Sequence, residues 1–272
     1  MKIIQITDLH LTTPGGTVYD SDPLARLDAC IADIKAHHAD ADLCVGTGDL
    51  ANTGEREAYA ALRERLHSLP MPFRLLVGNH DDRTAFRSVF ADHPVDQDGF
   101  VQSVLDIPEG RLRFLDTREP GLASGEYCAK RQAWLTARLD EAGGRACYIF
   151  MHHHPFPVGY RLADDLKLIP SEAFAAILRG HDVRHIFFGH IHRPIAGSWH
   201  GIAFTTLRGL NHQVWLDFTV RNAVPFSMEP PAYAIVLIDE TSVVVHTHDF
   251  LDDSRKWLYR YDLPEGQRIV RL

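Results

Sequence analysis

Cysteine is scarce in this chain and scattered. Its four cysteines, Cys30, Cys44, Cys128 and Cys147, form no CxxC pair, which argues against a cysteine-rich zinc site. A reduced compartment is the simplest setting for such usage, and a cytoplasmic location is expected. Cys30 and Cys147 stand in apolar surroundings and read as small core residues. Long hydrophobic runs are missing too. No apolar stretch approaches the ~20 residues of a membrane span. The first residues read as a strand rather than a leader, so no membrane association is expected. Positive charge is in deficit: 28 Lys and Arg face 36 Asp and Glu, a formal charge of −8. That argues against a broad face for a nucleic-acid polymer. It leaves an anionic small molecule open, because bound cations can dominate a local field. Internal repeats and low-complexity linkers are also lacking.

What is present suits one large domain. With 272 residues, 45% of them hydrophobic, the chain can bury a substantial core without staples. Residues 1–250 are expected to form that domain. Residues 251–272 read as a tail that covers a sheet edge or takes part in oligomerisation. Lys2 to Thr7 reads as a strand. Asp22-Pro23 starts a helix, with aspartate as N-cap and proline first. Leu24, Leu27, Ile31 and Ile34 give its apolar face to near His37. Leu43 to Gly46 is a short buried strand, Gly54 to Leu69 a helix closed by Pro70 and Pro72, and Phe73 to Val77 a third strand. This β-α-β-α-β order is that of a layered α/β sheet. A short helix follows over Arg83 to Phe90. Phe100 to Ile107 and Leu112 to Asp116 read as a hairpin around Glu109-Gly110. Helices are expected over Lys130 to Glu141 and from a Ser171 cap through Leu178, with strands over Ala146 to Met151 and Val183 to Phe188. Beyond Ile195 the signals are mostly β: Ile195 to Trp199, Ile202 to Thr206, Gln213 to Thr219, Ala232 to Ile238 and Ser242 to Thr247. The fold class is therefore α/β, two packed sheets with helices outside.

Histidine is plentiful, at 17 residues. Polar clusters of metal-ligand type follow five apolar runs: Asp8-Leu9-His10, Gly48-Asp49, Gly78-Asn79-His80-Asp81, His152-His153-His154 and Gly189-His190-Ile191-His192. Singly, each has a plain structural reading as a turn or a solvent-facing strand end. Five at five strand ends can converge on one rim of a sheet, where open α/β folds place their sites. An extended chain would point Asp8 and His10 to the same side. Asp82 reads as a helix cap, and Asp81 as a cap or as a carboxylate orienting His80. At most two of the three consecutive histidines can face one site, leaving the third structural or solvent-facing. Mixed Asp, Asn and His donors suit borderline-to-hard divalent ions such as Fe, Mn, Zn or Co. There are donors enough for two ions, and such a pair clamps both reacting oxygens in phosphoester hydrolysis.

In this order, D-x-H, GD, GNHD, HH and GHxH resemble the calcineurin-like metallophosphoesterases. Met151-His152-His153 with its following Pro-x-Pro, and Leu207 to Val214 (LRGLNHQV), make the chain similar to the bacterial class III cyclic-nucleotide phosphodiesterases and the related glycerophosphodiesterases. The resemblance implies a four-layer αββα sandwich of two mixed sheets flanked by helices. It implies a first metal held by Asp8, His10, Asp49 and His192, and a second by Asp49, Asn79, His152 and His190. His152 takes the ligand place because it directly follows its strand; His153 is the alternative. His80 and His212 would act on the substrate side. The implied reaction is hydrolysis of a small phosphodiester, a cyclic nucleotide such as cAMP or a glycerophosphodiester, by a metal-bound hydroxide. A monoester phosphatase or nuclease could use the same site, and a non-catalytic scaffold could keep the fold. A scaffold would have lost ligands, and here every position is filled. The loop Asp217 to Pro231, with Phe218, Arg221, Asn222 and Phe226, reads as a pocket wall or as an ordinary connection. A homo-oligomer, a dimer, is expected, because the run of C-terminal strands leaves edges that pair readily.

Overall fold

The computed structural model describes residues 1–220, 223–265 and 267–271. In chain order the elements are β1 (Lys2–Ile6), α1 (Pro23–His37), β2 (Leu43–Thr47), α2 (Arg56–Leu66), β3 (Phe73–Leu76), α3 (Arg83–Val89), β4 (Ser103–Ile107), β5 (Gly110–Phe114), α4 (Ala129–Asp140) and β6 (Cys147–Phe150). They continue with α5 (Arg161–Asp165), α6 (Ser171–Leu178), β7 (Val183–Phe188), β8 (Ile195–Trp199), β9 (Ile202–Thr206), β10 (Gln213–Val214), β11 (Phe226–Ser227), β12 (Tyr233–Ile238), β13 (Val243–His248), β14 (Trp257–Tyr259) and β15 (Ile269–Arg271). Among the described residues no helix is long and apolar enough to cross a membrane.

Two mixed sheets result. One runs β13-β12-β1-β2-β3 and the other β4-β5-β6-β7-β9-β8. β1, β2 and β3 are mutually parallel, as are β5, β6, β7 and β9. Alternation along each strand decides the layers, since successive side chains point to opposite faces. Ile3, Val45, Leu76 and Val236 of the first sheet meet Leu112, Phe114, Tyr148, Phe150 and Phe187 of the second. Their neighbours Ile4, Ile6, Cys44 and Leu75 face α1 and α2. Ile149, Ile186 and Phe188 face α4 and α6. The outcome is the expected αββα order, and each fully buried large side chain in it contributes about 1.5–3 kcal/mol.

Local signals set most boundaries. Asp22 caps α1 by accepting from Leu24 and Ala25 N–H, and Asp82 caps α3 through Ala85 N–H, each worth about 1 kcal/mol. Three expectations change. The Ser171 hydroxyl donates back to Leu168 O at 2.8 Å, and the cap position falls to Pro170. The expected strand over Gln213 to Thr219 stops at Val214, because Asp217 Oδ1 accepts from Thr219 N–H and Val220 N–H and turns the chain. Asp8 and His10 are not extended: their φ angles are 52° and 48°. In the tail, β14 and β15 pair with each other as a separate ribbon.

Candidate metal centre

The five polar clusters do converge. They follow the carboxyl ends of β1, β2 and β3 in one sheet and of β6 and β7 in the other. Backbone hydrogen bonds knit the loops together: Asp8 N–H donates to Gly48 O at 3.1 Å, His10 N–H to Asp49 O at 2.9 Å and Gly189 N–H to His152 O at 3.2 Å. Asp8, His10, Asp49, His190 and His192 all have positive φ, from 48° to 67°. Left-handed backbone in non-glycine residues costs of order 1 kcal/mol each and concentrates at functional sites. Two glycines make the close approach possible. A Cβ on Gly78 would lie 2.2 Å from Asp49 Oδ1, and one on Gly48 would lie 2.4 Å from His152 Nδ1.

Asp49 stands in the middle. Its Oδ2 lies 3.4 Å from His152 Nε2 and 3.7 Å from His10 Nε2. On one side, His10 Nε2 is 3.2 Å from His192 Nε2, which is 3.5 Å from Asp8 Oδ1. On the other, His152 Nε2 is 3.2 Å from Asn79 Oδ1, and the His190 ring centroid is 5.1 Å from that of His152. The His190 N–H reaches across the two sheets to both oxygens of Asp8 at 3.1 Å.

These residues fit divalent cations by the state of their imidazoles. His152 Nδ1 is 2.8 Å from Thr47 O, His192 Nδ1 is 2.8 Å from His212 O, and His10 Nδ1 is 3.3 Å from Asn52 Oδ1. Each acceptor claims the Nδ1 proton and turns Nε2 inward, the usual arrangement around ligating histidine. His10 and His192 then face each other with two lone pairs and no proton between them, a contact that a cation relieves. His152 Nε2 faces two oxygens, so positive charge belongs there. Burial opposes charging His152, but Asp49 and Asp8 outweigh it and lift its pKa to about 9. Burial pushes Asp49 up, yet His152, His10 and His80 together hold its carboxyl well below the usual range. Burial raises the Asp8 pKa and lowers those of His10 and His190.

The two substrate-side candidates lie at this cluster. His80 is exposed. Its N–H donates to Asp49 Oδ1 at 2.9 Å, its Nδ1 lies 2.8 Å from Asn52 O, and its ring edge meets His10 at 4.7 Å. His212 is buried, its ring 4.3 Å from His192 and 4.8 Å from His10. All three consecutive histidines are buried, none facing solvent. His153 Nδ1 engages Thr117 Oγ1 at 2.8 Å, and its Nε2 has no protein partner. His154 packs near Phe188 with neither ring nitrogen partnered.

Asp81 does not orient His80. Its carboxylate accepts from Leu50, Ala51 and Gly78 N–H and from the Tyr59 hydroxyl, at 2.8–3.1 Å. It pins the Asp49 and Asn79 loops to each other. Asn52 is the residue that sequence reasoning missed: its amide oxygen meets His10 and its carbonyl meets His80. Its place three residues after Asp49 was the one available signal. Of the loop Asp217 to Pro231, Phe218 lines an apolar cavity of about 260 Å³ with Trp215, Tyr160 and Ile191, and Phe226 stands against His212. Arg221 and Asn222 lie outside the described residues.

Comparison with known proteins gives the family and the fold. Residues 1–194 match the family model of the calcineurin-like phosphoesterases. The chain is 39% identical to a protein of Rhodopseudomonas palustris named probable cyclic nucleotide phosphodiesterase, covering 93% of this chain and 94% of that one. It is 27% identical to one of Arcobacter nitrofigilis named probable glycerophosphodiester phosphodiesterase, covering 91% and 92%. Among solved structures, a dimetal phosphatase from Danio rerio superposes with a TM-score of 0.72 over 92% of this chain and 96% of that one, at 16% identity. That likeness is one of fold.

Proposed function

Because the chain belongs to the calcineurin-like phosphoesterase family, we propose that it is a metal-dependent phosphodiesterase acting on small phosphodiesters, cyclic nucleotides or glycerophosphodiesters. The observation that carries this reading is the placement of Asp49 Oδ2 between His152 Nε2 and His10 Nε2. One carboxylate oxygen there can be shared by two cations. Asp8, His10, Asp49 and His192 would hold the first ion; Asp49, Asn79, His152 and His190 would hold the second. The names of the two relatives support the diester class.

When bound, such a pair acidifies water and neutralises charge on the phosphoryl oxygens. The chain supplies the rest. Thr47 O, Asn52 Oδ1 and His212 O fix three imidazoles in one tautomer. Asp81 holds the two ligand loops in register. His80 spends Nδ1 on Asn52 O, so Nε2 is the atom that can carry a proton to a departing alkoxide. His212 lines the same mouth. No serine or cysteine nucleophile is required.

A substrate panel tests the reading. Protein reconstituted with Mn, Zn, Fe or Co is assayed on cAMP, glycerophosphocholine, a nitrophenyl diester and a nitrophenyl monoester. Preference for diesters, lost on chelation, is expected. Preference for the monoester would replace the phosphodiesterase reading, and no turnover with any metal would remove it.

A further inference from the structure

Tyr19 and Phe226 come from opposite parts of the chain and meet at the mouth of the metal cluster. Their ring centroids are 4.7 Å apart with planes 34° from one another. Both stand nearly edge-on to His212, at 4.9 Å and 73° for Tyr19 and 5.0 Å and 84° for Phe226. His212 in turn touches His10 and His192. The aromatic pair is therefore one imidazole removed from the cluster. Yet it is left open to solvent: Tyr19 is 51% exposed and Phe226 38%. Structure is spent on keeping it there. Tyr19 and Asp20 both adopt positive φ, 49° and 63°, in a turn closed by reciprocal hydrogen bonds between Val18 and Ser21. Phe226 is carried on β11, paired opposite Val214 of β10, whose other residue, Gln213, directly follows His212.

Resting on the phosphodiesterase reading, we propose that Tyr19 and Phe226 form a stacking platform for the base of a 3′,5′-cyclic nucleotide and so set the substrate class of the site. A base is planar with two π-faces, and stacking on aromatic side chains is the general way proteins hold an unpaired one. It stands one sugar away from its phosphate, so phosphate at the cluster and base on the platform can be satisfied together. A glycerol ester has no aromatic face to offer. A choline headgroup is the other chemistry that aromatics attract. It is disfavoured by Arg26, whose guanidinium donates to Asn211 O and so stands as a cation beside His212. His212, against which both rings stand, is itself buried and keeps one ring nitrogen, Nδ1, without a protein partner.

The test compares wild type with the double variants Tyr19→Ala/Phe226→Ala and Tyr19→Leu/Phe226→Leu, the second keeping apolar bulk while removing both π-faces. Each is assayed on cAMP, glycerophosphocholine and glycerophosphoglycerol, and AMP and glycerol 3-phosphate binding are measured by calorimetry. Circular dichroism melts verify folding. A loss of about ten-fold or more in cAMP kcat/KM is expected in both variants. Both glycerol diesters should stay within about three-fold of wild type, and AMP affinity should fall with the cAMP rate. Equal loss on all three diesters, unchanged cAMP turnover, or selective loss on glycerophosphocholine would overturn the platform. Should wild type cleave no diester, the phosphodiesterase reading falls, and the AMP arm still decides: binding insensitive to both rings removes the platform as well.

Discussion

Asp49 Oδ2 lies 3.4 Å from His152 Nε2, although the two residues come from different sheets. That contact joins the two halves of the sandwich at their common rim. It predicts that Asp49→Ala loses both cations, whereas His192→Ala, on the far side, loses about one. Elemental analysis after reconstitution decides. Two ions per wild-type chain are expected, and retention of one in Asp49→Ala would end the shared-carboxylate reading.

His80 should behave as an acid rather than a ligand. Its Nδ1 is already engaged by Asn52 O. His80→Ala is expected to keep its metal content while turnover falls by about 10²–10⁴-fold on poor leaving groups and much less on nitrophenolate. Uniform loss across leaving groups would remove the acid role, and loss of metal would make His80 a ligand.

Asp81 should matter for stability before it matters for chemistry. Asp81→Ala strips the acceptor from three backbone N–H groups and from the buried Tyr59 hydroxyl. Leaving such groups unpaired costs about 1–3 kcal/mol each before relaxation. A loss of roughly 3–5 kcal/mol by denaturant unfolding is expected, with weaker metal retention following from the loosened loops. A loss under about 1 kcal/mol would mean the loops are held by something else.

Two histidines away from the cluster predict a pH dependence. Burial is the leading cause that lowers both His93 and His185 to about 4. Each is neutral when folded, whereas the unfolded imidazole takes up a proton below about 6.5. Stability is therefore intact above that pH and falls as pH drops from about 6.5 toward 4. By linkage each group removes up to about 2 kcal/mol at pH 5. His93→Gln and His185→Gln should each flatten the difference between unfolding at pH 7 and at pH 5. An unchanged slope would show that other groups dominate acid unfolding.

The assembly is a proposal of a different kind. The β14–β15 ribbon pairs with itself and leaves Trp257, Tyr259, Tyr261 and Ile269 exposed, and a lone hairpin is marginal in water. We propose that residues 251–272 help to build a homodimer. Light scattering at micromolar concentration should give twice the 30.7 kDa chain mass, and the monomer mass would reject the dimer.

Apolar runs and the order of the polar clusters are local properties, so two packed sheets and the five strand ends that carry donors were legible in the sequence. Asp22 and Asp82 announced their helices for the same reason: a cap is decided within four residues. Other features depended on partners far along the chain. The left-handed backbone of Asp8 and His10 follows from bonds to Gly48 O and Asp49 O, which no period in Ile6 to Leu11 encodes. Sequence alone left Asp81 between a cap and a partner for His80; packing gave its carboxylate to the Leu50, Ala51 and Gly78 amides instead. The tautomers of His10, His152 and His192 were set by acceptors 20 to 105 residues away. Phe226 read as a pocket wall or an ordinary connection, and only the return of β11 beside the loop after β1 set it against Tyr19. Local pattern fixes what a segment buries; closing the two sheets on one rim decides which atoms face each other there.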